Sequence, residues 1–367
     1  MTTTVEPTDT EAIEAKAGAL AERIFGTGIA ALELVTIDLG NRLGLYRTLR
    51  DDGPATPAEL AQRAGIHERY AREWLEQQSV AGILEVDDSG ADPDDRRYTL
   101  PAGHDVVLLD EDSPAHMSPV AAFVTVAGKA VPSLERAFRT GAGVPYAEYE
   151  LHDLQAGFTR PLFVNLFASE WVPKIPGLRE RLQDDPPARV LDVGCGEGWS
   201  SIALAQGYPK ATVTGIDLDD ASIAVARRNA AEAGVDDRVT FEVRDAADAG
   251  LAGGYDAAFC FEMVHDLSDP VGVLAAVRKL VRDDGAVVVA DERCAEEFTA
   301  PGDELERFFY AASVVHCLPV GMAEQPSAGT GTVIRPSILD RYAKDAGFTG
   351  ADVLPIENDF WRFYRLS

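Results

Sequence analysis

The chain is poor in cysteine and lacks the pairings that make cysteine structural. Its four Cys stand singly at 195, 260, 294 and 317. With no CxxC pair, neither a zinc cluster nor a disulfide framework is read from them. That usage fits a reducing, cytoplasmic setting. No apolar run approaches the ~20 residues a bilayer span needs, and no basic-plus-apolar leader opens the sequence. The opening MTTTVEPTDTEA is polar and expected to fray. Cations are the scarce charge: 33 Lys and Arg face 61 Asp and Glu, a formal net charge of −28. Such a field disfavours nucleic-acid backbones and anionic membranes as partners.

What is present is length and apolar content. The 367 residues, 46% of them hydrophobic, support two or three compact units with real cores. No internal repeat is visible. Residues 11 to about 50 carry helical periodicity, as in Leu32, Val35, Leu39, Leu43 and Leu45. Thr56-Pro57 reads as an N-cap followed by proline at the first helical position. Gly65 breaks that helix, a second runs from His67 to Gln78, and Ile83–Val86 and Arg97–Leu100 read as strands around a polar loop. Helix, turn, helix and hairpin form the pattern of a winged helix. From Asp51 to Asp105, however, five Arg face thirteen Asp and Glu, and a DNA reader should be basic there. Dimerisation or a covering role suits this region better.

Residues 106 to about 185 look helical, with a Gly/Pro break near TGAGVPYAEYE. The spacing of Phe158, Leu162, Phe163, Leu166, Phe167 and Trp171 reads mainly as core packing. From Ala188 the pattern becomes alternating strand and helix: RVLDVG, TVTGIDL, VTFEVRD, YDAAFCFEM and AVVVADE are the strands. Asp220 is the expected N-cap of the helix after the second. Short apolar strands alternating with helices predict an α/β fold, a parallel sheet covered on both faces. GADVLPIENDFWRFYRLS adds two strands, an antiparallel edge.

LDVGCGEGWSS joins the first strand of this region to its helix. Gly194, Gly196 and Gly198 let backbone approach a ligand closely. Asp192 before the loop would repel a pyrophosphate but can pair with an ammonium. Trp199 occupies the place where a dinucleotide fold wants a small residue. Asp217, at the end of the second strand, is placed for ribose hydroxyls, and Asp245, after the third, for an adenine amino group. A cofactor with a ribose, an adenine and an amino acid, but no diphosphate, satisfies all of these; S-adenosylmethionine is one.

VLDVGCGEG, the acid of GIDLD, VRDAAD and the order of strands resemble class I S-adenosylmethionine-dependent methyltransferases. The resemblance implies a Rossmann-like seven-stranded sheet with the final strand antiparallel. It carries Asp192 and the loop Gly194, Cys195, Gly196 and Gly198 to the methionine portion. Asp217 goes to the ribose and Asp245 with Ala246 to the adenine end, and Leu218 belongs to the cofactor set. Phe261 joins the cofactor set. A helical winged-helix region ahead of such a domain, with VPYAEYE, RPLF and HCLPVGM, is similar to small-molecule methyltransferases of a bacterial, largely actinobacterial, branch. In these the N-terminal region dimerises and covers the substrate. The expected domains are 1–105 (winged helix), 106–185 (helical linker and pocket segment) and 186–367 (cofactor domain).

His265-Asp266 follows the fourth strand, on the rim that carries the glycine loop. A histidine with its ordinary pKa of ~6.5 can take a hydroxyl proton at neutral pH. HDLSD is close to the HDWSD of plant O-methyltransferases, whose His is the general base; Leu267 departs from the pattern. Asp291 and Glu292 occupy the region where that family's flanking carboxylate lies. A loop or helix-capping pair is the competing account of His265-Asp266. Met263, His316 and Tyr149 (with Tyr146) are substrate-pocket candidates, each also explicable as packing. No HExxH, Cys cluster or magnesium-type carboxylate set is seen, so no metal is expected. The reading is a cytoplasmic, homodimeric methyltransferase acting on a small molecule. Its acceptor atom is an oxygen of an aromatic or polyketide-like compound. The alternatives are C- or N-methylation, with His265 positioning only, or a cofactor-binding winged-helix regulator.

Overall fold

A computed structural model describes residues 9–149, 152–248 and 250–367. Of the opening MTTTVEPTDTEA, expected to fray, residues 1–8 lie outside them, and Asp9–Ala12 instead form the start of a helix. The chain divides into two compact units, one up to Thr125 and one from Val126 to Ser367. No helix among the described residues is long and apolar enough to cross a membrane.

The first unit is built as its capping signals dictate. Thr56 caps the Pro57–Ala64 helix: its hydroxyl accepts from the Glu59 amide while Glu59 reaches back to the Thr56 amide. Gly65, at φ +67°, ends the helix in the left-handed conformation that only glycine adopts cheaply. His67 caps the next helix, Glu68–Val80. Strands β1 (Glu85–Val86) and β2 (Tyr98–Thr99) pair antiparallel as a short wing. Tyr46, Leu60, Trp74, Leu75 and Tyr98 close the small core. Ahead of it runs a helix of 34 residues, Asp9–Arg42, whose Ile24, Phe25, Leu32 and Leu39 are solvent-exposed.

The second unit carries a seven-stranded sheet in the order β5-β4-β3-β6-β7-β9-β8. Its strands are β3 (Arg189–Val193), β4 (Thr212–Asp217), β5 (Val239–Val243), β6 (Tyr255–Phe261), β7 (Val281–Glu292), β8 (Ala351–Val353) and β9 (Trp361–Leu366). β3 to β7 are mutually parallel. β9 runs antiparallel between β7 and β8. The seven-stranded, mixed sheet is the one the resemblance implies. Strand order reverses between β3 and β6, and ligands of open α/β sheets gather at such a switch point, beyond the carboxyl ends.

Every residue of β6 is buried, because both faces are covered. Ala257, Phe259 and Phe261 face one core layer with Phe163, Phe167, Trp171, Trp361 and Phe363. Ala258 and Cys260 face the other, with Leu191, Val193, Ile216 and Tyr364. The aromatic residues of β9 therefore serve both layers. Phe167 meets Phe259 edge-on with ring centroids 5.0 Å apart. One local expectation is corrected. Asp219, not Asp220, caps the Asp220–Glu232 helix: it has extended backbone and its carboxylate accepts from the Ser222 amide at 2.6 Å.

Candidate active site

A cavity of about 650 Å³ opens at the switch point. The glycine loop forms one wall. Gly194, Gly196 and Gly198 all have positive φ (+67°, +50° and +82°). They differ in what a side chain would meet. A Cβ on Gly198 would lie 2.4 Å from the Phe241 ring, so this glycine serves close packing of loop on sheet. A Cβ on Gly196 would meet nothing within 4 Å. Gly196 lines the cavity, so its bareness leaves open the space a ligand would fill.

Two acids hold this loop. Asp192 is buried, and its Oδ2 accepts from the Ser200 and Ser201 hydroxyls at 2.5 and 2.6 Å. Burial pushes its pKa up to about 6, with the serine bonds opposing. Asp217 accepts the Gly196 amide on one carboxylate oxygen at 2.9 Å and the Asp219 amide on the other at 3.0 Å. It lines the cavity with lone pairs to spare for hydroxyl donors. Burial raises its pKa, and those amide bonds counter it. Leu218, Asp245, Ala246, Cys195 and Phe261 are also on the wall. Asp245 stands two residues beyond β5, its side chain accepting from the Ala247 amide.

The opposite wall follows β6. A single 3-10 turn, Val264–Asp266, turns the chain. His265 is only 3% exposed. Its Nδ1 donates to Oδ1 of Asp291 at 2.5 Å and lies 3.0 Å from Oε2 of Glu292. Its Nε2 lies 3.2 Å from Oδ1 of Asp266. Asp266 and Met263 line the cavity; His265 is set behind them. Burial alone would lower the pKa of His265, but Glu292, Asp266 and Asp291 together raise it well above the ordinary value. Burial pushes Glu292 up strongly, and Asp291 beside it adds to that. Asp291 is lowered in spite of its burial, because the His265 charge and its hydrogen bonds favour the carboxylate. The carboxylates thus favour the protonated form of His265 against its burial, while Glu292 is shifted toward its neutral form. The donor atoms of His265, Asp291 and Glu292 lie within 4.8 Å of one another. The short Nδ1–Oδ1 bond leaves no room for an ion between that pair.

Asp291 and Glu292 move from the margin of the sequence reading to its centre. Tyr149 and His316, the other pocket candidates, pack on each other with centroids 4.7 Å apart, and neither is on the cavity wall. Tyr146 is on it. Sequence reasoning misses Glu262, which lines the cavity at φ +50°. Its only signal is a carboxylate immediately after an apolar strand.

Fold and cavity together define the Rossmann-like class of α/β proteins, whose ligands gather at the switch point. A methyltransferase domain model matches residues 184–326, and an Rv2258c-like winged HTH domain model matches residues 30–109. The ubiquinone biosynthesis O-methyltransferase of Pseudomonas paraeruginosa (strain DSM 24068 / PA7) is 31% identical over 218 residues, covering 59% of this chain and 82% of that protein. Among solved structures, the mitomycin 7-O-methyltransferase MmcR superposes with a TM-score of 0.70 at 19% identity, covering 96% of this chain and 99% of that one. Human N-acetylserotonin methyltransferase in complex with S-adenosylmethionine gives 0.68 at 15%, covering 94% and 97%. The chain belongs to the S-adenosylmethionine-dependent methyltransferases. S-adenosylmethionine is its cofactor, and the open space at Gly196 beside the amide-held Asp217 fits it.

Proposed function

We propose that this enzyme methylates an oxygen of a small aromatic or polyketide-like acceptor, and that it works in the cytoplasm as a homodimer. Asp217 with Leu218 would hold the ribose, Asp245 with Ala246 the adenine, and the loop Gly194–Gly198, braced from behind by Asp192, the methionine part, against Phe261. When bound, the cofactor supplies an electrophilic methyl carbon. The protein's tasks are then to align the acceptor and to manage its proton.

The observation that carries the oxygen reading is His265 bridging Asp266 on the cavity wall and Asp291 behind it. A hydroxyl is a poor nucleophile until its proton leaves. The Asp266–His265 pair offers that proton a path, and Asp291 stabilises the imidazolium. Met263 shapes the acceptor side, with Tyr149 and His316 supporting Tyr146 from behind. The raised pKa of His265 favours a second reading, because the protonated ring that it favours positions an acceptor rather than deprotonating it. C- or N-methylation then becomes the outcome. Incubation with methyl-labelled cofactor and a panel of phenols, amines and enolisable polyketides decides between them. Label found on oxygen, abolished by His265→Gln with cofactor binding intact, supports the first. Label on carbon or nitrogen, with His265→Gln retaining turnover, overturns it.

Nucleic acid is not the partner of the winged helix in this proposal. Arg69 pairs with Glu73 at 2.5 Å, Arg72 with Asp94 at 2.7 Å and Arg96 with Glu76 at 2.9 Å. The guanidinium groups of the second helix and wing are thus taken by carboxylates. The exposed apolar residues of the Asp9–Arg42 helix support the homodimer.

A further inference from the structure

Glu262 is the sole residue other than glycine at positive φ among the described residues. A glutamate held at φ +50° carries a conformational cost of order 1–3 kcal/mol, which persists only where the surroundings impose it. Two neighbours impose it here. The Glu262 amide donates to the Ala290 carbonyl of β7 at 2.9 Å, and the side chain is hydrogen-bonded with Trp361 of β9. The turn puts a carboxyl on the cavity wall directly after the all-apolar end of β6.

The charges of this wall are one-sided. Glu262, Asp266, Asp269 and Glu324 line it, and Arg244 is the one Lys or Arg among the described lining residues. Arg244 is engaged by Glu242 at 3.0 Å and Asp248 at 3.5 Å. A cavity with this lining favours a cation over a neutral ligand of the same shape.

We propose that Glu262 is the charge-reading residue of this cavity, favouring S-adenosylmethionine, with its positive sulfur, over the neutral-sulfur product S-adenosylhomocysteine. The proposal rests on the cofactor assignment and goes beyond it, since the ribose and adenine contacts are common to both molecules. Burial pushes the Glu262 pKa up to about 7; the Trp361 hydrogen bond and His265 oppose this, while Asp291 and Asp266 add to it. Those are the groups that face it from its own turn, from β7 and from β9. Near pH 7 the carboxyl is therefore divided between its two forms. A cation entering the cavity draws it to the carboxylate and expels the proton. After methyl transfer the sulfur is neutral, the carboxyl regains its proton, and the product is held less tightly.

Calorimetric titration of the full chain at pH 7, in two buffers of different ionisation enthalpy, tests this without any acceptor. For the wild type, S-adenosylmethionine should release about half a proton more per site than S-adenosylhomocysteine. In Glu262→Gln that difference should vanish, and the ratio of the affinity for S-adenosylmethionine to that for S-adenosylhomocysteine should fall roughly five- to tenfold. Glu262→Asp should retain most of both effects. Equal proton release by the two ligands in the wild type overturns the proposal even if Glu262→Gln fails to fold. An unchanged ratio and unchanged proton release in Glu262→Gln also overturn it. Absence of binding by either ligand overturns the cofactor assignment with it.

Discussion

Nδ1 of His265 and Oδ1 of Asp291 lie 2.5 Å apart, with both side chains shut off from solvent. The contact joins the turn after β6 to the end of β7. It fixes the ring, and it fixes which nitrogen carries the inner proton.

The first prediction concerns that proton. Burial opposes the charged form of His265, but Glu292, Asp266 and Asp291 outweigh it and raise the pKa above its ordinary value, so the imidazolium persists to higher pH than that of a free ring and is lost as pH rises through the elevated pKa. Asp291→Asn removes one carboxylate, and the His265 titration should move to lower pH. NMR of histidine-labelled protein reads this directly, and a titration left in place would refute the clamp. Methyl transfer to a hydroxyl acceptor should fall roughly 10²-fold or more in the same variant.

Asp192 makes a thermodynamic prediction. Its native pKa of about 6 exceeds its ordinary value of 3.8. Between those values the native state binds more protons than the unfolded state, so this residue's contribution to stability declines as pH rises from about 4 to 6. Its size is about 3 kcal/mol. Asp192→Asn should flatten that part of the stability curve. Urea midpoints of both proteins across that acid range check it, and parallel curves would contradict it.

The two glycines should separate folding from binding. Gly198→Ala drives a Cβ toward Phe241 and strains a residue at φ +82°, costing about 2–4 kcal/mol and several degrees of melting temperature. Gly196→Ala is strained at φ +50° but meets no neighbour within 4 Å, so it should lower the melting temperature less than Gly198→Ala. Its cofactor affinity should fall at least about tenfold, because the added methyl occupies space the ligand would fill. Thermal denaturation and calorimetry together distinguish the two; the reverse pattern would overturn the assignment of roles.

The Asp9–Arg42 helix carries the dimer prediction. Phe25 and Leu32 are 73% and 70% exposed. The double variant Phe25→Glu, Leu32→Glu should halve the mass seen by light scattering while keeping its helical circular dichroism. A wild type that is already monomeric refutes the dimer. Labelled duplex DNA at low salt should show no saturable binding to the wild type, since the arginines of the wing are paired.

The legible parts of the sequence are those encoded within one strand-turn-helix unit. Gly194, Gly196 and Gly198 follow Asp192 directly, and their backbone demands are local. Thr56-Pro57 and Gly65 announce a helix for the same reason. The clamp is less legible because His265 and Asp291 are separated by a helix and meet only through the pairing of β6 with β7. Glu262 needs its backbone angle, which Phe-Glu-Met does not betray. The cap at Asp219 rather than Asp220 turns on one residue in an acidic pair. The packing of Tyr149 on His316 brings together segments far apart in sequence, and no local pattern announces it.

β9 has one more consequence. It slots between β7 and β8, pairing Arg362 with Asp291 and Trp361 with Glu292. The glycine loop draws neighbours from β3, β4, β5 and the helix between the first two, all ahead of β6 in the chain. The carboxylates around His265 gain their outer neighbour only when β9 arrives, the last strand of the sheet to leave the ribosome. A copy ending before Trp361 would keep the strands that hold the glycine loop and lose the outer neighbour of Asp291 and Glu292.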